Sequence, residues 1–250
     1  MNRPLGLLAA LPDELAALTA ELDAPRTEHC GGRTFHVGHL TGRPVVLVLS
    51  GIGKVASAAT AALLCERFGV HALLFTGVAG GLAAGVAVGD VVVGEHLLQH
   101  DLDVSPLFPR WVVPSSGRSH YTGDAALVQA VRAGAREVLG RAHPELTAFG
   151  VTSPKLHGGL IVSGDRFVST LAESNALRAA LPEALAVDME SASVAQVAAD
   201  FGVPFAALRS ISDRADDLAH VDFPRFLREV AAPYARDIVC AALQRVSHRR

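Results

Sequence analysis

Aromatic residues are scarce in this chain, at 5% of 250 positions, and Trp111 is the single tryptophan. With so few rings the core has to be aliphatic, and half of the residues are apolar, mainly Ala, Val and Leu. Excess basic charge is missing as well: 22 Lys and Arg stand against 25 Asp and Glu, a net charge of −3. No basic block offsets phosphate repulsion, so neither nucleic acid nor an anionic membrane is expected as the main partner. Cysteine is sparse, with Cys30, Cys65 and Cys240 far apart and no CxxC or Cys/His zinc spacing. An odd, scattered set of thiols fits a reduced, cytoplasmic protein rather than a disulfide framework. No apolar run approaches the roughly 20 residues of a membrane span. The opening "MNRPLGLLAALPDE" has only a short apolar stretch before Pro-Asp-Glu, unlike a signal peptide. Neither internal repeats nor low-complexity segments are visible, and the length suits one domain over residues 1–250.

What the sequence does contain is short apolar runs alternating with helical patterns. "LGLLAA" (5–10), "PVVLVLSG", "ALLFTG", "DVVVG", "GGLIVSG", "ALAVD" and "PFAALRSIS" read as strands. "PDELAALTAEL", "KVASAATAALLCERFG", "DAALVQAVRAGAREVLG", "AESNALRAALP" and "SASVAQVAADFG" read as helices, and a long helix is expected from about Pro224 to Val246. Pro12 suits a helical first turn, and the acids after it favour its positive end. Such alternation predicts an α/β fold with a mostly parallel sheet covered on both faces. The least regular stretch, 105–123, reads as a loop.

In such sheets ligands bind beyond the C-terminal strand ends. This rule selects Pro12–Glu14, Ser50–Lys54, Thr76–Gly81, Ser163–Val168, Asp188–Glu190 and Arg209–Asp213. Each segment alone has an ordinary reading. "SGIGK" departs from a phosphate loop, since Val48 and Val55 stand where Gly and Ser or Thr are required. "TGVAGG" is not a dinucleotide fingerprint, because Ala79 replaces the second glycine; a tight turn or a backbone wall for a flat ligand both fit. His96 and His100 are four apart, but on a strand that spacing does not converge two imidazoles on a metal. "RSISD" is either an ion pair or a buried acid. In "VDMES", Asp188 and Glu190 either cap a helix or, two apart on extended backbone, face one cleft.

In the order SGIGK, TGVAGGL, VGDVVV, HDLDV, SGDRF, VDMES and VPFAALRSISD, the chain resembles the 5′-methylthioadenosine/S-adenosylhomocysteine nucleosidases of the nucleoside phosphorylase/hydrolase superfamily. The likeness spans about residues 5–246. It implies a three-layer α/β/α sandwich with a mixed, mostly parallel central sheet, a homodimer, and no cofactor or metal. It implies that Glu14 activates water and that Asp213, in the "SD" with Ser212, protonates the leaving purine. Glu190 then binds the ribose hydroxyls and Met189 lies against the sugar. Phe167 stacks on the base, the backbone of Val168 reads it, and Ala79 and Gly80 flank it. Ile52 and Phe223 line the pocket for the 5′-substituent. Val104 is lent by the neighbouring subunit, whose 100–123 segment completes the pocket. Arg209 serves the site by positioning Glu14 or the water.

The chemistry explains these residue types. Breaking an N-glycosidic bond builds positive charge on the sugar and negative charge on the departing base, so an acid, a base and a ribose-binding carboxylate are all required. The loop with Asp13 and Glu14 holds no Arg or Lys, which suits water over phosphate as the nucleophile. Val78 stands where many relatives have serine, and Asp188 where many have glutamate; Asp188 is expected to support or cap. The 105–123 loop, with Leu107, Phe108 and Trp111, falls where the partner closes the 5′-pocket. The resemblance therefore implies hydrolysis of methylthioadenosine and S-adenosylhomocysteine. Related nucleosides (5′-deoxyadenosine or futalosine-type) and a purine nucleoside phosphorylase stand as alternatives.

Overall fold

The computed structural model of the chain describes residues 3–215 and 223–245. Strand β1 (Leu5–Ala9) leads into α1 (Pro12–Thr19), followed by β2 (Asp23–Cys30), β3 (Arg33–Leu40) and β4 (Arg43–Leu49). Next come α2 (Lys54–Glu66), β5 (Ala72–Gly81), β6 (Val91–Gln99), β7 (His120–Thr122) and α3 (Ala125–Leu139). After a 3-10 turn the chain continues through β8 (Leu156–Ser163), α4 (Leu171–Ala180), β9 (Ala184–Asp188), α5 (Ser191–Asp200) and β10 (Phe205–Asp213). It closes with α6 (Phe223–Phe226), a π turn (Leu227–Ala231) and α7 (Ala232–Leu243).

The strands form one mixed sheet, and alternation along them builds two cores. Leu5, Leu7, Val45 and Leu47 face α1, α3 and α7, whereas Leu8, Val46 and Val48 face α2 and α5. This is the three-layer arrangement expected.

Strand β5 is the branch point of the sheet. Its first half pairs in parallel with β1, from Leu5↔Ala72 to Ala9↔Thr76. Past Thr76, β9 takes over that edge, antiparallel, at Gly80↔Val187 and Gly81↔Ala186. The other edge holds β10 in parallel along nearly its whole length. Because β10 also pairs with β6, β6 with β8, and β8 with β9, these five strands close on one another. The divergence of β9 from β1 opens a crevice beyond the strand ends, the kind of place where α/β sheets bind ligands.

Three stretches differ from the sequence expectation. Residues 23–40 form the β2–β3 hairpin, which turns at Gly31 and Gly32, both with positive φ. Most of β2 is exposed, so no apolar alternation marks it as a strand. The 105–123 segment contains β7, whose Tyr121 is buried and pairs with Leu97 of β6. The long closing helix is broken by its π turn. Pro233, in the first turn of α7, has no N–H to give to the carbonyl of Glu229, and the wider turn absorbs this. Val246, its expected end, lies outside the described residues.

Candidate active site

A cavity of about 400 Å³ fills the crevice. Its wall is built from strand ends: Ala10 and Leu11 after β1, Ile52 after β4, and Val78, Ala79 and Gly80 in β5. Arg166, Phe167 and Val168 follow β8; Val187 through Glu190 close β9; Ser212 and Asp213 end β10; Phe223 opens α6. Of the residues expected here, Ile52, Ala79, Gly80, Phe167, Val168, Met189, Glu190, Ser212, Asp213 and Phe223 therefore converge on one wall. Glu14, Arg209 and Val104 do not line it.

Glu14 is fully enclosed behind Leu11. As the third residue of α1, its Oε2 accepts from the Leu11 N–H at 3.1 Å, half of a capping box. Its Oε1 is buried without a hydrogen-bond partner among the described residues. Burial pushes its carboxyl up to about 7; the Arg209 charge and the amides of Leu11 and Ala10 pull it back, and Glu190 pushes it further up.

Glu190 stands where the chain leaves the extended conformation, with φ −138° and ψ −39°, as the N-cap of α5. Its Oε1 accepts from the Gly53 N–H at 2.9 Å. The neighbouring Lys54 N–H donates to Asp165 at 2.7 Å, and a Cβ on Gly53 would lie 3.0 Å from that Asp165 oxygen. The N-terminus of α2, an anion-binding end by its dipole, is thus filled by two of the protein's own carboxylates. "SGIGK" therefore holds side chains. Burial, then the Asp188 charge, raises the carboxyl of Glu190, while Arg209 opposes both.

The two acids of "VDMES" part company because the backbone turns between them. Asp188 points inward, its side chain 1% exposed. It accepts from Ser163 Oγ, Ser191 Oγ, the N–H groups of Glu190 and Ser191, and Arg209 Nε at 2.8 Å. It therefore caps α5 and neutralises Arg209 together. Removing one partner of such an enclosed pair costs about 3–5 kcal/mol.

Arg209, expected to serve the site by positioning Glu14 or the water, is wholly enclosed behind the wall. The reason is its register in the middle of β10, paired with Gly77 and Val92 on either side. Its guanidinium lies 4.0 Å from the Phe75 ring centroid, and its Nη1 donates to the Leu208 carbonyl at 3.0 Å. A Cβ at residue 77 would come within 3.0 Å of Nη1, so Gly77 makes room for it. Nη2 is buried without a hydrogen-bond partner among the described residues.

At the far end, Asp213 is buried and held by its neighbours. Ser212 Oγ donates to its Oδ2 at 2.7 Å and the Ala215 N–H to its Oδ1 at 2.7 Å. Gly80 packs against this turn, and an added Cβ would lie 2.9 Å from Ala215 Cβ and 3.0 Å from Oδ1. Phe167 and Ile52 stand at the mouth, 49% and 66% exposed. Val104 is half-buried in the 100–123 segment. His96 is exposed beside Thr122, whereas His100 is half-buried, so the two imidazoles have separate surroundings.

Sequence reasoning missed Ala10, Leu11 and Val187 on the wall, and the clamp of Gly53 and Asp165 around the start of α2. Leu11 was signalled only by its place before "PDE". The other contacts join segments more than a hundred residues apart.

Comparison with known proteins agrees with this geometry. The model of the phosphorylase superfamily matches residues 4–244. A 5′-methylthioadenosine/S-adenosylhomocysteine nucleosidase of Listeria monocytogenes is 33% identical over 235 residues, covering 94% of this chain and 97% of the relative. The crystal structure of such a nucleosidase from Colwellia psychrerythraea, in complex with adenine, superimposes with a TM-score of 0.88 at 32% identity, covering 98% of this chain and 96% of that one. The futalosine hydrolase of Helicobacter pylori superimposes with a TM-score of 0.83, also at 32% identity, covering 98% of each chain. With its branched sheet, its strand-end cavity and these relatives, the chain belongs to the phosphorylase superfamily, among the 5′-methylthioadenosine/S-adenosylhomocysteine nucleosidases.

Proposed function

We propose that the protein is a single-domain hydrolase that splits the N-glycosidic bond of 5′-methylthioadenosine and S-adenosylhomocysteine, releasing adenine and the thioribose product. The observation that carries this reading is a cavity with Asp213 on its wall, Glu190 beside it and Glu14 enclosed behind Leu11. Three carboxylates suit a reaction that charges the sugar positively and needs a proton on the departing base.

Each group has a task. Phe167 stacks on the base, with the backbone of Val168, Ala79 and Gly80 around it. Asp213 delivers a proton to the base. The Ser212 hydroxyl can turn from donor to acceptor, so Asp213 can hold a proton on Oδ2 before giving it up. Glu190, fixed at Oε1 by Gly53, accepts the two ribose hydroxyls with its remaining lone pairs, while Met189 packs on the sugar. Glu14 takes a proton from the attacking water, whose oxygen Arg209 Nη2 steadies. Both atoms assigned to this water, Glu14 Oε1 and Arg209 Nη2, are buried and lack other partners among the described residues. Ile52 and Phe223 receive the 5′-substituent.

Water is preferred to phosphate because the anion-binding start of α2 already holds Glu190 and Asp165, and Arg209 is neutralised by Asp188. Arg166 is the one cation on the wall among the described residues, and its exposed side chain pairs with Glu173. The same reading makes the protein a cytoplasmic homodimer in methionine salvage, with Val104 and the rest of 100–123 closing the neighbour's pocket. Supporting a covered mouth, Leu107 and Phe108 are 84% and 43% exposed close in sequence to Val104. The likeness to futalosine hydrolase keeps a bulkier 5′-group as the second reading.

Incubation with methylthioadenosine, with and without phosphate, tests the activity. Free methylthioribose at a phosphate-independent rate is expected; a ribose 1-phosphate product overturns the reading. Faster release from futalosine than from methylthioadenosine favours the second.

A further inference from the structure

Asp188 joins the two halves of the site. One carboxylate oxygen, Oδ1, takes Ser163 Oγ and the N–H groups of Glu190 and Ser191, which fixes the turn from which the Glu190 side chain leaves. The other, Oδ2, takes Ser191 Oγ and Arg209 Nε. Arg209 has few alternatives. Nη1 is spent on the Leu208 carbonyl and the flat face lies on Phe75, so the bond to Asp188 decides where Nη2 points. Arg209 is also the strongest charge drawing the Glu14 carboxyl down.

We propose that Asp188 is a positioning residue for the hydrolysis, whose carboxylate holds Arg209 toward Glu14 and Glu190 toward the sugar at the same time. Its side chain is 1% exposed and its oxygens are taken by protein donors, so it acts through these two groups. The proposal rests on the nucleosidase reading for its activity measurement only.

Among the described residues, the charged groups around Glu190 are Asp188 from β9, Arg209 and Asp213 from β10, Glu14 from α1, and Arg166 after β8 on the same cavity wall. Beyond the start of α2 lie Lys54, bound to Asp101 of the turn after β6, and Asp165 after β8, with His100 beside Asp101. Among these, only Asp188 bonds both to Arg209 and to the Glu190 backbone. Its charge raises the Glu190 carboxyl, and the Arg209 it holds lowers Glu14. A neutral residue at 188 therefore shifts Glu190 downward and, by releasing Arg209 from its place beside Glu14, shifts Glu14 upward, whereas loss of a purely structural contact leaves both titrations where they were.

The test compares Asp188→Asn, Asp188→Glu and Ser163→Ala with wild type. It reads adenine release across pH and, independently of activity, the titration of 13C-labelled glutamate carboxylates by infrared spectroscopy, assigned with Glu14→Gln and Glu190→Gln. Asp188→Asn is expected to lose about 10²-fold in kcat/KM, the order seen when a catalytic group is misplaced. Its Glu190 titration should move down, and its Glu14 titration and the acid limb up, each by about one pH unit. Asp188→Glu keeps the charge and should keep the limb. Ser163→Ala removes one donor and guards against loss of fold; it should lose several-fold in kcat/KM with the limb unmoved. Wild-type kcat/KM in Asp188→Asn, unmoved titrations, a limb that moves equally in Asp188→Glu, or undiminished kcat/KM in Ser163→Ala overturns the proposal. A wild-type protein that releases no adenine sinks the nucleosidase reading instead, and the infrared titration still decides the role of Asp188.

Discussion

Replacing Glu14 by Gln should make the protein more stable at alkaline pH while abolishing hydrolysis. Glu14 is wholly buried, and its carboxyl is pushed from 4.5 to about 7. Between those values the native state keeps a proton that the unfolded chain releases, so stability falls as pH rises across that window. A tenfold change in the acidity of one group between the folded and unfolded chain is worth about 1.4 kcal/mol, which makes the full penalty about 3 kcal/mol above pH 7. At pH 5 most of it is still absent, so the difference between pH 5 and pH 8 is about 2–3 kcal/mol. Gln keeps an acceptor for the Leu11 N–H and does not ionise. Its own packing cost is the same at both pH values and cancels in the comparison, as do the titrations that variant and wild type share. For a chain of this length, 1 kcal/mol moves Tm by roughly 2–4 °C. Thermal unfolding of both proteins at pH 5 and pH 8 should show Glu14→Gln gaining roughly 5–10 °C relative to wild type between the two. An equal Tm difference at both pH values refutes the enclosed, uphill carboxylate.

The same carboxyl sets an acid limb in kcat/KM, which should rise with pH through about 7, because the base must be ionised in the free enzyme; a pH–rate profile flat from 5 to 9 contradicts this. Gly80→Ala should lower kcat at least about 10²-fold, because its Cβ collides with the turn that holds Asp213. Such overpacking costs about 1–3 kcal/mol, so a urea midpoint measured alongside should fall modestly. Phe167→Ala should weaken binding of adenine by about 1–3 kcal/mol, roughly 5- to 150-fold, as expected for a lost stacking surface; calorimetric titration with adenine reads it directly. Asp213→Asn should stop turnover while leaving adenine-site binding partly intact, and wild-type rates in that variant would remove it as the acid.

The strand ends were legible in the sequence because a buried parallel strand is a local apolar run, and the residues after it must turn. Glu14, Phe167, Glu190 and Asp213 could therefore be found, and their order along the chain pointed to a family. The β2–β3 hairpin was not legible, since an exposed edge strand such as "DAPRTEHC" carries no alternation. Nor was the π turn before Pro233, where helical periodicity continues through a local change of hydrogen bonding.

Much of the site chemistry belongs to the tertiary structure. Sequence spacing allowed Asp188 and Glu190 to share one cleft, yet Asp188 turns in to Arg209 and Glu190 out to Gly53. From its position near a strand end Arg209 could be an ion-pair partner or a group that positions Glu14 or the water; its register beside Gly77 encloses it and pairs it with Asp188. Composition, periodicity and turn chemistry are short-range properties, and by themselves they determined the α/β layers and the acids at the strand ends. What each acid bonds and how its carboxyl is shifted depend on desolvation and on partners from other strands and helices, as Glu190 with Gly53 and Asp188 with Arg209, and those meet only once β5 has branched and the chain has closed around the crevice.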